Sequence, residues 1–230
     1  MSWDVIADNF GRFAQGAQLT LLLTIIALVI AFVLSIALAL LRDSPRWWLR
    51  HLIGAYTLVF RGTPLLIQLF LIYYGLAQFE MLRQSFVWPW LSSPLICVLI
   101  AFVLNTTAYT TEIFAGGLRH LPAGEIEAAR AYGMSPWTQA RRILLPAMLT
   151  RSLSLYGNET IMMLHATSLA STVTLMEITG VARNITLNYY IQFEPYVTAG
   201  AIYLLLTLAL VGAFRFAEWR WAGYLQPRRG

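Results

Sequence analysis

The sequence predicts an all-α integral membrane protein with five transmembrane helices, and three observations carry that prediction. The first is composition. Hydrophobic residues make up 58% of the chain and the mean hydropathy is +0.63, more than a soluble domain of this size needs to fill its core. The second is run length. Residues 20–41 contain no charged side chain, and a helix of about 20 predominantly apolar residues crosses a bilayer. The third is the placement of charge. The net charge of +5 comes from arginine alone, since the chain has no lysine, and the arginines gather between apolar runs. That is the pattern of membrane topology rather than of a nucleic-acid surface, so no nucleic-acid partner is expected.

The first span is expected over residues 18–41. The residues before it carry Asp4, Asp8 and Arg12 instead of a basic leader, and the apolar run is longer than that of a cleavable signal, so it reads as a retained helix. The second, 52–76, is interrupted by Arg61-Gly62-Thr63-Pro64. The third covers 94–116. The fourth, 147–176, holds Asn158, Glu159 and His165 within it, and the fifth covers 196–214. There is no low-complexity tract, soluble linker or convincing repeat, so residues 1–230 read as a single transmembrane domain. The absence of an inverted repeat also weighs against a secondary carrier. The one cysteine, Cys97, lies in an apolar stretch and reads as a small packing residue.

The arginines orient these spans. Arg42, Arg46 and Arg50 follow the first span; Arg119, Arg130, Arg141, Arg142 and Arg151 lie between the third and fourth; Arg215, Arg220, Arg228 and Arg229 follow the fifth. The opposite side has only Arg12, Arg83 and Arg183, and Arg61 falls inside a span. The positive-inside rule therefore places the N-terminus outside and the C-terminus in the cytoplasm. Trp47, Trp48, Trp219 and Trp221 mark the inner interface, and Trp88 and Trp90 the outer one.

One polar, helix-forming segment stands between Pro122 and Pro146. Pro122 suits a first helical turn, where its missing N–H is not needed, and Glu125 and Glu127 lie where the helix dipole favours negative charge. Glu127 can pair with Arg130 at i, i+3. Gly133 is placed to end this helix in a left-handed cap. Ser135-Pro136 then restarts helix as N-cap and first residue, with Thr138 where a full capping box would have Glu or Gln. Trp137, Ala140, Ile143 and Leu144 give a second apolar stripe. An amphipathic pair lying on the headgroups is the plain alternative.

The string Glu127-Ala128-Ala129, Gly133 four residues on and Ile143-Leu144-Leu145-Pro146 beyond it resembles the coupling loop of ATP-binding-cassette (ABC) import permeases. Phe60-Arg61-Gly62-Thr63-Pro64 with Gln68, and Asn105-Thr106-Thr107-Ala108-Tyr109 with Glu112-Ile113-Phe114, resemble segments of the polar amino-acid permeases of that family. Asn158-Glu159 with Thr167-Ser168-Leu169 resembles their fourth-helix segment, and the likeness extends to the M-type permeases of histidine/lysine/arginine/ornithine importers. The resemblance implies a type I importer permease of the five-helix minimal kind, with a coupling loop over about residues 119–146. It further implies a multi-pass subunit of the bacterial cytoplasmic (inner) membrane. The expected partners are a second similar permease, two ABC ATPase subunits and an extracytoplasmic solute-binding protein. Glu127, Ala128, Ala129 and Gly133 would then form the ATPase contact. The chain has no glycine-rich loop followed by Lys-Ser/Thr, so ATP and magnesium are expected on the ATPase and no cofactor on this chain.

Polar groups within spans are costly and usually face a cavity or a partner. Glu159 lies about 13 Å below residue 150 at 1.5 Å per residue, near the middle of a core of about 30 Å. A carboxylate there attracts a basic amino acid (histidine, arginine, lysine or ornithine), with opine-type or other polar amino acids the alternative cargo for the same transporter class; the alternative role for Glu159 is a structural bridge to Arg61. Two roles fit Arg61: receiving an α-carboxylate in bidentate fashion, or holding the broken second helix through its carbonyls. Asn105, Thr106 and Tyr109 sit near one face of the third span, and Asn158, His165, Thr167 and Ser168 complete the candidate substrate set. Glu112 is expected to pair with a loop arginine or cap the loop. His165 is not expected to hold a metal, because His51 and His120 fall in loops. A membrane hydrolase would have to use Ser168 with His165, outside any Gly-x-Ser-x-Gly context, and an ion-coupled carrier would leave the coupling loop unexplained.

Overall fold

The structure is a computed structural model describing residues 2–221; Arg228 and Arg229 of the basic tail lie outside the described residues. Every regular element among those described is helical. Helix α1 (Ser2–Asp8) leads through Asn9 into α2 (Phe10–Arg42), which at about 1.5 Å per residue is near 50 Å long and exceeds the bilayer core. Asp43-Ser44-Pro45 turns the chain into α3 (Trp47–Gly62).

The second expected span is not one straight rod. α3 ends at Gly62, and α4 (Leu65–Phe70), continued by a π turn and a 3-10 turn to Gln78, leaves at 103° to it. Pro64 has no N–H and biases Thr63 toward extended backbone, and Thr63 is extended at φ −115°, ψ 143°. The freed carbonyls find side-chain partners. The Gln68 amide donates to Phe60 O at 2.8 Å and to Thr63 O at 3.0 Å. The Asn105 amide donates to Phe60 O at 3.0 Å and to Gln68 Oε1 at 3.1 Å.

Two short helices, α5 (Glu80–Arg83) and α6 (Trp88–Leu91), connect to α7 (Pro94–Arg119). α7 is the centre of the fold and packs on α2, α3 and α4. Its long contact with α2 runs along small residues: Ala27, Ala31, Ser35 and Ala39 recur every four positions, all buried. Small side chains let membrane helices approach, which suits a medium where apolar area alone gives no preference for helix over lipid. Ser35 Oγ donates to Thr107 O at 3.2 Å across that seam. A Cβ at Gly117 would stand 3.1 Å from Met148 O, so this glycine allows the following long helix to cross α7 closely.

After α8 (Ala123–Ala131) and α9 (Pro136–Gln139), a π turn over Ala140–Leu144 joins directly to α10 (Leu145–Ala166). Helix therefore begins well before residue 147, inside the polar loop, and continues into the fourth span. The π turn lies beside Pro146, which has no N–H to give to the carbonyl four residues back. At Thr167 the α-helix tightens to a 3-10 helix (Thr167–Val173), ended by Thr174 in left-handed conformation at φ 72°. α11 (Ile178–Tyr189) departs at 42°. Its N-terminus is capped by Glu177, wholly buried at 0% exposure. The carboxylate accepts from Thr179 N and Gly180 N at 2.8 Å each, and from the Tyr203 hydroxyl at 2.7 Å. Tyr203 belongs to α12 (Phe193–Trp221), which packs on α10 and α11 and leaves most of its apolar surface outward. Three helices, α2, α7 and α12, are long and apolar enough to cross a membrane alone, and the count reaches five when each bent pair is taken as one span.

Replacing Gln68 with leucine keeps the bulk but strands Thr63 O, leaves Phe60 O with Asn105 as its one side-chain donor, and takes from the Asn105 amide its Gln68 acceptor. Each lost partner there costs about 1–3 kcal/mol. Gln68→Leu is expected to lower the thermal unfolding midpoint in detergent by several degrees, while Gln78→Leu, at an exposed site, leaves it unchanged.

Candidate functional site: a membrane-embedded acidic pocket and an exposed helical loop

Asn105, Thr106 and Tyr109 on α7 meet Glu159, Met162, Met163 and Ala166 on α10 around a cavity of about 270 Å³, closed on one side by Leu65 of α4. This is near the lower end of the range for small-molecule sites, about 300–1,000 Å³. Glu159 Oε1 accepts from Thr106 Oγ1 at 3.1 Å, and among the described residues no cation lies within ion-pair distance of it. The structural bridge to Arg61 is thus not formed. Arg61 instead lies over the ring of Tyr109, its Cζ 5.4 Å from the centroid, within the range of a cation–π contact. The Tyr109 hydroxyl donates to Arg61 O at 3.2 Å.

Besides Arg61, four members of the candidate substrate set do not line this pocket. Asn158 is exposed on another side of α10. The His165 ring is within 2.9 Å of Thr207 Oγ1 on α12 and stands edge-on to Tyr203. Thr167 is buried and donates to Leu164 O at 2.6 Å, and Ser168 donates to His165 O at 2.8 Å. These hydroxyls satisfy the carbonyls that the 3-10 geometry loosens, together with Ser171 and Thr172, which do the same three residues back. The serine contacts the histidine's backbone and not its ring, so no nucleophile–base pair exists there. Asn105 lines the pocket, but its amide hydrogens are committed to the helix break. The role of Gln68 was missed at the sequence level; the signal was its fixed distance after Pro64, readable as a side chain returning to the freed carbonyls.

At the arginine-rich ends of the spans, Arg42 Nε donates to Glu112 Oε1 at 2.6 Å and Thr57 Oγ1 to the same oxygen at 2.8 Å. Glu112 thus pairs with a loop arginine, as expected. Arg119 and Asp43 form a two-bonded pair at 2.8 and 3.0 Å. The hydrogen bonds from Arg119 hold the Asp43 carboxyl below the usual carboxylate range. Both partners are half exposed, and such a pair adds little stability.

The loop over 122–146 forms the two expected helices. α8 ends in a Schellman cap: Met134 N donates to Ala129 O at 3.1 Å and Gly133 N to Arg130 O at 2.9 Å, with Gly133 at φ 71°. Ser135 Oγ then accepts from Thr138 N at 3.3 Å, with Pro136 first in α9. Glu127, Ala128 and Gly133 are exposed. Ala129 is the exception at 2% exposure: it faces the chain's own interior and supports the loop from beneath. Glu125, not Glu127, reaches an arginine, Arg151 at 4.0 Å. Tyr132 and Trp137, 85% and 74% exposed, flank the cap.

An all-helical bundle with two broken spans and a capped polar helix pair outside them is the fold this chain shares with type I ABC permeases. The chain matches the family described as "Binding-protein-dependent transport system inner membrane component" over residues 32–222, and it belongs to that family. It is 44% identical over 223 residues to the octopine transport system permease protein OccM of Rhizobium meliloti, covering 96% of this chain and 91% of that protein. It is 42% identical over 226 residues to the histidine/lysine/arginine/ornithine transport system permease protein HisM of Escherichia coli (strain K12), covering 98% and 95%. Among solved structures it resembles a chain of an amino acid ABC transporter crystallised with histidines, at TM-score 0.81 and 31% identity, covering 94% and 96%. The chain is a permease subunit of an ABC amino-acid importer of the inner membrane and not itself an enzyme.

Arg42 and Glu112 are each less than a quarter exposed. Breaking such a pair from one side leaves an uncompensated charge, at a cost of about 3–5 kcal/mol when fully buried and less here. Arg42→Met is expected to destabilise the protein more than the double variant Arg42→Met/Glu112→Met. Thermal unfolding of the two single variants and the double variant measures the coupling.

Proposed function

We propose that this permease carries amino acids with a cationic side chain, and that Glu159 is the group that selects them. The observation behind this reading is a carboxylate inside a span, holding one hydrogen bond and no ion pair, in a pocket large enough for a small molecule. Ionised groups at that depth are expensive unless paired, so a guanidinium, ammonium or imidazolium that enters restores a missing interaction. Tyr109 offers an aromatic wall to the same cation. The named substrates of the relatives agree with this chemistry: histidine, lysine, arginine and ornithine are basic, and octopine, an arginine-derived opine, keeps the guanidinium. Arginine-type amino acids and their opines are therefore one substrate class for this pocket.

We further propose that the loop over 122–146 docks on an ABC ATPase, with two ATPases and a second similar permease completing the membrane complex. A binding protein delivers substrate on the side of the N-terminus, and the C-terminus lies in the cytoplasm. ATP and magnesium sit on the ATPases. The exposed Glu127 and Ala128 and the rigid cap at Gly133 suit a docking helix, with small residues for close approach and a carboxylate for a partner's donor. From Pro136 to Ala166 the backbone stays helical through the π turn, so a push on the loop reaches Glu159 along one rod of about 35 Å. Communication between ATP and substrate requires that each bind the two gate states differently.

Two variants separate the pocket from the joint. Glu159→Gln removes the charge at nearly constant shape; arginine uptake into proteoliposomes is expected to fall at least about tenfold, the equivalent of one charged interaction, while the ATPase still co-purifies. Unchanged arginine uptake would discard the pocket assignment. Gly133→Val forces a β-branched residue to a left-handed φ, at a cost of about 1–2 kcal/mol or more. ATP hydrolysis is expected to continue with import reduced several-fold, and a normal ratio of ATP hydrolysed to substrate moved would count against the joint.

A further inference from the structure

Arg61 covers a residue that lines one cavity and itself lines another. The first is the Glu159 pocket, which Tyr109 lines. The second is a cavity of about 510 Å³ at the arginine-rich end, lined by Arg61, Gly62, Arg42, Thr57 and Glu112. The guanidinium of Arg61 covers the Tyr109 ring and has no carboxylate within ion-pair distance among the described residues. In the second cavity both donors to Glu112, Arg42 Nε and Thr57 Oγ1, reach Oε1. Its Oε2 has no hydrogen bond among the described residues, although a carboxylate accepts on both oxygens. One arginine thus lines one space and covers an aromatic wall of the other, and each space holds a carboxylate with unused acceptor capacity.

Building on the proposed Glu159 pocket, we propose that the Tyr109 ring is shared in turn by two cations. Arg61 holds it when the pocket is empty, and the cationic group of a substrate takes it when the pocket is filled, releasing Arg61 toward Glu112. The physical reason is competition of two cations for one aromatic face. A substrate guanidinium drawn in by Glu159 arrives beside Arg61, and two like charges at that range repel strongly once water is excluded. Arg61 has somewhere to go, because Glu112 borders the cavity that Arg61 itself lines. The displacement acts on a sensitive point of the backbone. Arg61 immediately precedes Gly62, Thr63 and Pro64, where the chain turns by 103°, and the Tyr109 hydroxyl bonds Arg61 O. Loading the pocket with charge therefore loosens one side chain at the hinge of α3 and α4. A neutral amino acid of the same shape exerts no such repulsion and leaves Arg61 on the ring. The arrangement makes substrate charge, and not only substrate binding, the quantity the hinge reads.

The test measures binding of arginine and of citrulline, its neutral isostere, to the complete complex with its partner subunits in nanodiscs by titration calorimetry. Arg61→Gln removes the internal competitor. It is expected to bind arginine about 2- to 10-fold tighter, the worth of one cation–π contact, with citrulline affinity unchanged and with less stimulation of ATP hydrolysis by arginine. Weaker binding of both ligands would instead make Arg61 a holder of the α-carboxylate, and unchanged arginine affinity would make it structural; either result overturns the exchange. Tyr109→Leu provides a second route: on that background Arg61→Gln is expected to lose its tightening effect, and tightening that persists without the ring also overturns it. Glu159→Gln measured alongside keeps the two readings apart. Arginine binding lost there but unchanged in Arg61→Gln rejects only the exchange, whereas arginine binding unchanged in Glu159→Gln rejects the pocket itself.

Discussion

The structure depends on one constraint above others: a helix broken inside a membrane must have its backbone polar groups met by protein, since lipid meets none of them. At Gly62-Thr63-Pro64 the chain turns by 103°, and Gln68 and Asn105 supply the donors for Phe60 O and Thr63 O. That pair of amides does more than repair the break. Asn105 belongs to α7, so its bond fixes the end of α3 against the central helix at one height. Arg61 is thereby held beside Tyr109, one turn further along α7. Without the amides the bend would have no defined angle and neither cavity a defined shape.

The same logic operates at the second break. The 3-10 segment loosens carbonyls at the end of α10, and four hydroxyls, from Thr167, Ser168, Ser171 and Thr172, each return to the carbonyl three residues back. The N–H groups that open α11 are met by Glu177, whose charge is shared with the Tyr203 hydroxyl of α12. A helix start is a natural site for a carboxylate. Gly16 lets α2 come close here, since a Cβ would stand 3.1 Å from Ile178 N. Two breaks, each with its own polar repair, therefore frame a rigid middle made of α2, α7 and α10.

Much of this was legible because it rests on local rules. The arginine-free run of the first span, the proline after Arg61-Gly62 and the glycine at 133 each announce themselves by what only those residues do. Gly133 does take a left-handed φ, and Ser135-Pro136 does start a helix. The pocket was legible only in part, and here simple helical arithmetic would have helped. His165 is six positions beyond Glu159, which at 3.6 residues per turn is about 240° around the helix, so the two could not share one cavity. Asn158, one position from Glu159, is about 100° away. The inward turn of Ala129 was not legible, because a small residue in a small-residue string carries no mark of which neighbour it will touch. Glu177 escaped notice because glutamate is not among the common N-caps, and its third partner is 26 residues away.

The exposed loop and the Glu159 pocket lie on one continuous helical run, and that bears on how the proposed docking loop and the proposed pocket could communicate. The helical run from Pro136 to Ala166 carries the loop at one end and Glu159 near the other. Its single irregularity is the π turn beside Pro146, close to where α10 meets Gly117 of α7. A helix that tight against its neighbour cannot slide freely there, so a displacement of the loop is better converted to rotation about the crossing than to translation. Rotation of α10 about its axis swings Glu159 relative to Thr106 and Tyr109, which stay on α7. On the proposed reading, that changes the pocket's affinity for a cation without moving the helix break. In that proposed arrangement the carboxylate would be the moving half of the site and the aromatic wall the fixed half, and a difference in affinity between two gate states would come from the distance between them.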